Sequence, residues 1–550
     1  MPDRTFDPYA PSSEERDMSE DLYGVRTIWE LVERRAERSG ERAMLMDGER
    51  TVTFGELHAW AERVAAGLAD LGIGAGTPVS WQLPNRIETL VASLALARLG
   101  AVQNPIIPIY RSREVGFVLR QSGAQVVLHP GTWRGFDHTA MFESIVADLP
   151  SPPTLVAAYD VLPEADPARL PPPPEPSEDP VRWLYYTSGT TSDPKGARHT
   201  DRTLLAGAIG VADRLRPTSS DVFHLAMPYA HIAGPDLLLT ALLHGYALTL
   251  SEHFVPEEAI ALCRRTGVTM AGGSTAFYTA FLNEQRRHPE GPVVPTLRLL
   301  MGGGAPKPPE IFYEVKRILG VPVLHGSGMT ECPMISFGAL NDTDEQLADT
   351  DGAPVRDLQI SIASPEGTEL GPDAVGEILV RGPMLCRGYA DPALDAAALT
   401  PDGWFHTGDL GLVRADGHLV ITGRIKDIII RKGENISAKE VEDLLYQHPK
   451  VGDIAVVGLP DPERGERVCA VVETAPGAEP LTLAELQAHC RAAGLMVQKI
   501  PEQLEITDAL PRNATLKVLK YQLRQQLTDA DAPRRDGPDG SSPRPPRQDS

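Results

Sequence analysis

The chain has 550 residues, 42% of them hydrophobic and 23% charged, with a formal net charge of −23. That length exceeds what one hydrophobic core normally serves, so two or more domains are expected. The acidic balance argues against a nucleic-acid or anionic-membrane partner held by bulk charge, and an anionic substrate must then be met by local basic groups.

Residues 1–20 are polar and rich in Pro and Ser, and are expected to be disordered. Thr27-Ile28-Trp29-Glu30 fits a capping box, with Ile28, Leu31 and Val32 as a buried stripe. A second box, Thr53-Phe54-Gly55-Glu56, opens a helix reaching about residue 71. A strand over 78–83, a helix over 87–99, a strand over 101–109, a helix near Glu114 and a strand over 125–128 follow. This alternation predicts a parallel, doubly wound α/β region. Residues 162–180 hold Pro171-Pro172-Pro173-Pro174 and several acids, and read as a long surface loop.

A buried strand is expected over 181–186, and a dense run follows it: Thr187-Ser188-Gly189-Thr190-Thr191-Ser192-Asp193-Pro194-Lys195-Gly196. Hydroxyls and glycine N–H groups suit phosphate oxygens, and the lysine adds a point charge. The order is not that of the common P-loop, and such a cluster taken alone is more often a plain loop. Helices over 203–215, 237–243 and 256–266 and strands over 222–227, 247–250, 297–301 and 321–324 come next. The last two strands lead into the turns Gly302-Gly303-Gly304-Ala305-Pro306 and His325-Gly326-Ser327-Gly328-Met329-Thr330-Glu331. Ligands of open α/β sheets bind beyond the carboxyl ends of strands, so these turns are candidates to converge on one pocket.

From about residue 351, short strands with Gly, Pro and Asp turns predict a small β subdomain. Residues 425–527 read as an α+β unit, with strands over 428–431, 453–458 and 468–473 and helices over 438–446, 483–492 and 520–527. A disordered tail is expected from 528 to 550. Five widely spaced cysteines without C-x-x-C predict a reduced compartment with neither disulfide framework nor zinc site. No signal-peptide core and no apolar run of membrane-spanning length is present, so a soluble cytoplasmic protein is expected.

The run 187–196 resembles the phosphate loop of the adenylate-forming enzymes, the superfamily of acyl-CoA synthetases, luciferases and adenylation domains. The resemblance covers nearly the whole chain between its tails, with the motifs in the family's order, and is nearest to the acyl-CoA synthetases and fatty-acid–CoA ligases. It implies an α/β fold: a large N-terminal AMP-binding domain (21–423) with doubly wound mixed or parallel sheets and a small β subdomain, a hinge (424–427) holding Lys426, and a small mobile α+β domain (428–527). Thr187, Ser188, Gly189, Thr190, Thr191 and Lys195 are the implied phosphate contacts. Gly303, Gly304, Ala305 and Pro306 match a turn lying along the adenine and the acyl carboxylate, and Gly328, Met329 and Thr330 are further nucleotide contacts. Glu331 matches the glutamate that binds the magnesium on ATP, which suits a carboxylate facing a triphosphate.

Asp409 matches the aspartate accepting both ribose hydroxyls and Arg424 the arginine beside the same sugar. Lys432, Gly433 and Asn435 match the segment lining the path of the pantetheine arm. His231 matches the gate at the carboxylate end of the acyl pocket, although a lone histidine is equally often a core or surface group. Lys517, closing Pro511-Arg512-Asn513-Ala514-Thr515-Leu516-Lys517, matches the lysine that touches carboxylate and α-phosphate. The implied catalytic groups are Lys517, Glu331, Thr187 and His231. Three positions depart from the family pattern: Ser192 and Leu516 stand where glycines are usual, and Ser327 where an aromatic often stacks on adenine. The implied activity converts a carboxylic acid, ATP and Mg²⁺ to an acyl-adenylate, then transfers the acyl group to coenzyme A. A carrier protein or amine as acceptor, and a non-catalytic nucleotide-binding homologue, stay open at this point.

Overall fold

The computed structural model describes residues 21–175, 177–187, 194–513 and 516–531. The chain folds as two compact units. Among the described residues, one runs up to Lys426 and takes in Arg512, Asn513, Leu516 and Lys517; the other holds Asp427–Pro511 and 518–531.

The larger unit is built on two sheets of mainly parallel strands. In the first, the order is Ala353–Pro354, Cys332–Phe337, Val323–Met329, Leu299–Gly303, Met270–Gly273, Val222–Leu225, Ala247–Leu250, Ala43–Met46 and Thr51–Thr53. The six strands from Val323–Met329 to Ala43–Met46 are parallel, and the edge pairings are antiparallel. The second sheet runs Gly196–His199, Trp183–Tyr186, Val102–Pro105, Pro78–Trp81, Val126–His129 and Thr154–Ala157, antiparallel only at its first pairing. The central strands read as continuous apolar runs because both faces are covered; Leu248, Leu299, Leu300, Val323 and Leu324 are all fully buried. A third, four-stranded antiparallel sheet holds Gln359–Ala363, Gly376–Arg381, Phe405–Val413 and Leu419–Arg424.

Local signals place many elements. Helices Ile87–Leu99 and Pro256–Thr266 have the expected bounds, each closed by a left-handed glycine, Gly100 and Gly267. The Thr53–Glu56 box is complete and caps Phe54–Asp70. At Thr27 the box is only half made: Thr27 accepts from Glu30 N–H, but the Glu30 carboxylate takes the N–H of Arg26 instead. Some expectations are corrected. The segment 325–329 is strand rather than turn, because it completes a hairpin with Cys332–Phe337, and that ladder outweighs the turn preference of its glycines. The turn itself is confined to Thr330-Glu331. Gly302 and Gly303 likewise lie in strand, and a Cβ on Gly303 would stand 2.3 Å from the Gly326 carbonyl oxygen.

The smaller unit carries a five-stranded sheet in which Glu434–Ser437, Ile428–Arg431, Gly465–Thr474 and Val451–Asp461 are antiparallel and Gln503–Thr507 runs parallel beside Gly465–Thr474. Alternation along Val451–Asp461 divides its core. Ile454 and Val456 pack with Val441, Leu445 and Leu486 of two helices, whereas Ala455, Val457 and Leu459 pack with Leu523. Among the described residues no helix is long and apolar enough to cross a membrane.

Candidate active site

Strands Trp183–Tyr186 and Gly196–His199 form a hairpin whose connection is the Ser/Thr/Gly run. Ser188, Gly189, Thr190 and Thr191, together with Ser192, lie outside the described residues. The two ends of the run are described. Thr187 N–H donates to the Lys195 carbonyl at 3.0 Å, and Lys195 N–H donates to Thr187 Oγ1 at 3.3 Å. The Lys195 ammonium lies 5.3 Å from the ring centre of Tyr389, within reach of a cation–π contact.

The Thr330-Glu331 turn sits at the carboxyl end of Val323–Met329. Glu331 is only 5% exposed and its Oε1 accepts from the Tyr389 hydroxyl at 2.6 Å. Its backbone carbonyl accepts from Cys386 N–H at 2.8 Å. Burial, and then the Glu331 charge, pushes the Tyr389 phenol far up, so it stays a donor. The Thr330 carbonyl is 2.8 Å from His199 Nε2, which must carry the ring proton because a carbonyl only accepts. His199 Nδ1 meets the Thr203 hydroxyl at 2.9 Å. Burial lowers the His199 pKa to about 4, keeping the ring neutral. Sequence reasoning missed both Tyr389 and His199.

Tyr185, Tyr186, Ile106, Tyr110, His231 and Thr330 line a pocket in the larger unit. His231 is half-buried in its wall. Its Nδ1 accepts from Ala233 N–H at 3.3 Å, which leaves the proton of the neutral ring on Nε2. Its pKa falls to about 4, first through desolvation and then through the charge of Lys517. Lys517 is fixed by its own backbone: its N–H donates to Asn513 Oδ1, and its carbonyl accepts from Asn513 N–H, each at 2.9 Å. Leu516 before it adopts a left-handed φ of 63°.

Gly303 ends its strand, and the turn of Gly304, Ala305 and Pro306 after it is held through two carbonyls. Ala305 O accepts from His325 Nε2 at 3.0 Å, and Pro306 O from Thr275 Oγ1 at 2.6 Å. Gly328 and Met329 continue the strand into the Glu331 turn. Asp409 and Arg424 face each other across two antiparallel strands and form a 2.7 Å ion pair through Asp409 Oδ1. Lys432 and Gly433, with φ of 52° and 84°, make a two-residue hairpin turn between Ile428–Arg431 and Glu434–Ser437 in the smaller unit, and Asn435 sits opposite Ile430. The described contacts therefore join Thr187 to Lys195, link Lys195 to Glu331 through Tyr389, and set Thr330 and His231 on one pocket. Asp409 and Arg424 answer each other, and Lys432, Gly433 and Asn435 belong to the other unit.

Among the described residues no three His, Cys, Asp or Glu side chains group as a metal cluster. Glu331 by itself offers a buried hard oxygen, which fits Mg²⁺, an ion usually held by one or two carboxylates plus substrate phosphates and water. One further buried group has no sequence signal. Asp236, 2% exposed, has no hydrogen-bond partner on either carboxylate oxygen among the described residues, and burial raises its pKa well above the carboxylate range.

Comparison with known proteins defines the class. Residues 32–390 match the AMP-binding enzyme family and residues 440–517 the AMP-binding enzyme C-terminal domain. The chain belongs to this family of adenylate-forming ligases. It is 31% identical to a salicylyl-CoA synthase / salicylate adenylyltransferase from a Streptomyces species, over 94% of this chain and 97% of that protein. It is 33% identical to the salicyl-AMP ligase / salicyl-S-ArCP synthetase of Mycobacterium tuberculosis, over 92% of each. It is 30% identical to the medium-chain fatty-acid–CoA ligase of Escherichia coli, over 92% and 91%. Among solved structures, ATP-bound MatB from Rhodopseudomonas palustris superposes with a TM-score of 0.81 at 27% identity, over 91% of this chain and 99% of that one. The o-succinylbenzoate–CoA synthetase MenE of Bacillus subtilis with ATP and magnesium gives 0.78 at 29%, over 91% and 99%.

Proposed function

We propose that this chain activates a carboxylic acid with Mg-ATP to an acyl-adenylate, releasing pyrophosphate, and then passes the acyl group to the thiol of coenzyme A. The observation that supports this most is the joining, in the larger unit, of the Thr187–Lys195 loop base, the buried Glu331 and the pocket bearing His231. A carboxylate oxygen attacks the α-phosphorus in line, and the bond to the β-phosphate breaks as pyrophosphate leaves with its electron pair. Two anions must meet, so positioning and charge stabilisation are the main tasks.

Thr187, Lys195 and the loop hydroxyls hold phosphate oxygens, and Lys517 answers the charge that develops between carboxylate and α-phosphate. Glu331 holds the Mg²⁺, which neutralises triphosphate charge. Neutral His231 offers Nε2–H to the acid's carboxylate. Asp409 accepts from the ribose hydroxyls beside its ion-pair partner Arg424. The thiol then attacks the acyl carbon and AMP leaves. A thiol pKa near ~8.5 requires only a modest base or positive field. Lys432, Gly433 and Asn435 line the thiol's approach.

Coenzyme A is preferred as acceptor because the Escherichia coli relative is named for it, while the Mycobacterium tuberculosis relative, named for a carrier protein, supports the second reading. Pyrophosphate release with a panel of carboxylic acids, followed by acyl transfer to CoA, a holo-carrier protein or an amine, tests both. Release that depends on acid and is lost in Glu331→Ala supports the reading. ATP binding without release for any acid would favour a non-catalytic homologue.

A further inference from the structure

Tyr389 belongs to a segment that the motifs above do not explain. The segment runs antiparallel alongside Gly196–His199 through an isolated bridge. Arg387 N–H donates to Arg198 O at 2.7 Å, Arg198 N–H to Gly388 O at 2.9 Å and Ala390 N–H to Gly196 O at 2.7 Å, and Tyr389 bridges Ala197. The same segment reaches the metal-site turn through Cys386 N–H, 2.8 Å from the Glu331 carbonyl. Tyr389 N–H is fixed in turn by Asp395 Oδ1 at 2.8 Å. The ring is thus carried between the strand that follows Lys195 and the turn that holds Glu331.

Its two chemical features each have a partner. The hydroxyl donates to Glu331 Oε1 at 2.6 Å, and the ring lies 5.3 Å from the Lys195 ammonium. A tyrosine supplies both a ring face for a cation and an O–H for a carboxylate. A carboxylate this buried needs a donor to fix it, and one bond to Oε1 leaves Oε2 for a hard cation.

We propose that Tyr389 is a positioning residue that orients the Glu331 carboxylate for a divalent cation and couples it to Lys195, so that metal and triphosphate are gripped as one unit. The proposal rests on the reading of Glu331 and Lys195 given under the proposed function. Loss of the hydroxyl frees the carboxylate to rotate and raises the metal requirement. Loss of the ring also releases the lysine.

The test is calorimetric titration of ATP into the full chain across a Mg²⁺ series and in EDTA, with melting temperatures of the ligand-free variants as a folding control. Tyr389→Phe is expected to raise the Mg²⁺ concentration for half-maximal ATP binding about ten-fold, equivalent to ~1.4 kcal/mol, with ATP binding in EDTA within about two-fold of wild type. Tyr389→Leu is expected to weaken ATP binding in EDTA as well. In a Glu331→Gln background, adding Tyr389→Phe is expected to change nothing further. A wild-type Mg²⁺ requirement in Tyr389→Phe, or independent, additive effects in the double variant, overturns the coupling even where Glu331→Gln alone raises the requirement. A Glu331→Gln protein with the wild-type requirement overturns the metal reading and this proposal with it. Should Tyr389→Phe melt as a misfolded protein, Tyr389→Leu carries the Mg²⁺ comparison, read as the ratio of its ATP affinity at each Mg²⁺ concentration to its own affinity in EDTA, and an unchanged ratio overturns the coupling.

Discussion

His199→Leu tests whether a buried neutral imidazole holds the Glu331 turn in place. The ring is fully buried, donates from Nε2 to the Thr330 carbonyl at 2.8 Å and meets Thr203 at 2.9 Å. Leucine fills a similar volume, so the loss falls chiefly on the orphaned Thr330 carbonyl, at ~1–3 kcal/mol. At roughly 2–4 °C per kcal/mol for large domains, melting is expected to fall by about 2–12 °C at pH 7.5. Acid supplies the sharper comparison. The folded pKa is about 4, below the ordinary 6.5, so the stability tied to the neutral ring is fully present above pH 6.5. It is lost as pH falls from there toward 4, and at pH 5 the loss amounts to ~2 kcal/mol. The variant has no imidazole to charge there. Melting temperatures of wild type and His199→Leu should therefore converge between pH 7.5 and pH 5. Parallel curves, or a gap that widens in acid, would refute the account of His199 as a buried neutral donor.

Asp236→Asn replaces, at nearly constant volume, a buried carboxyl group that has no hydrogen-bond partner among the described residues. Because the folded pKa is raised, the wild-type contribution is present below the unfolded carboxylate range and is lost as pH rises, so the variant should gain stability over wild type from pH 5 to pH 8 by calorimetry; an equal difference at both pH values would contradict this. Lys517→Ala is expected to slow acyl-adenylate formation by roughly 10²–10³-fold while leaving thioester formation from supplied acyl-adenylate and CoA near wild type, and equal slowing of both half-reactions in stopped-flow assays would end that division of labour. Gly433→Trp should show the reverse, with pyrophosphate release kept and thioester formation blocked, since it adds bulk at the tip of the Lys432-Gly433 hairpin turn. Unimpaired thioester formation there would remove this hairpin from the thiol's path.

The sequence speaks most clearly where a local rule decides the structure. Helix Leu483–Ala492 has the expected bounds because Thr482 and Glu485 cap each other, and strand Ala247–Leu250 because four residues, three of them apolar, are buried in succession. Sequence reasoning missed helix Pro309–Leu319 although its signals are equally plain, with proline at its first position and Gly320 left-handed at its end. Strands Ala43–Met46 and Thr154–Ala157 are four residues long and gain their identity from neighbours far along the chain, Leu248 for one and Val126 for the other. The candidate site divides in the same way. Thr187, Lys195 and Glu331 stand in motifs. Tyr389 lies 58 residues from Glu331 and His199 lies 131 from Thr330, so nothing short of tertiary pairing reveals either.

Leu516 shows how a departure from pattern is absorbed. The family's glycine position suits a left-handed backbone, and this chain keeps that backbone with a leucine, at φ 63°. Such a conformation costs a residue with a Cβ ~1–2 kcal/mol. The side chain packs, partly buried, against the apolar core of the larger unit, and complete burial of a leucine is worth ~1.5–3 kcal/mol. Partial burial therefore recovers about what the backbone loses. The turn is meanwhile closed by bonds that do not involve the side chain: Leu516 N–H to Asn513 O at 2.9 Å, Lys517 N–H to Asn513 Oδ1 at 2.9 Å, and Arg512 Nη1 to Leu516 O at 2.7 Å. The substitution at 516 thus changes which term stabilises the turn while the lysine after it stays anchored by its own N–H. Its presence is no argument against Lys517 serving the proposed reaction.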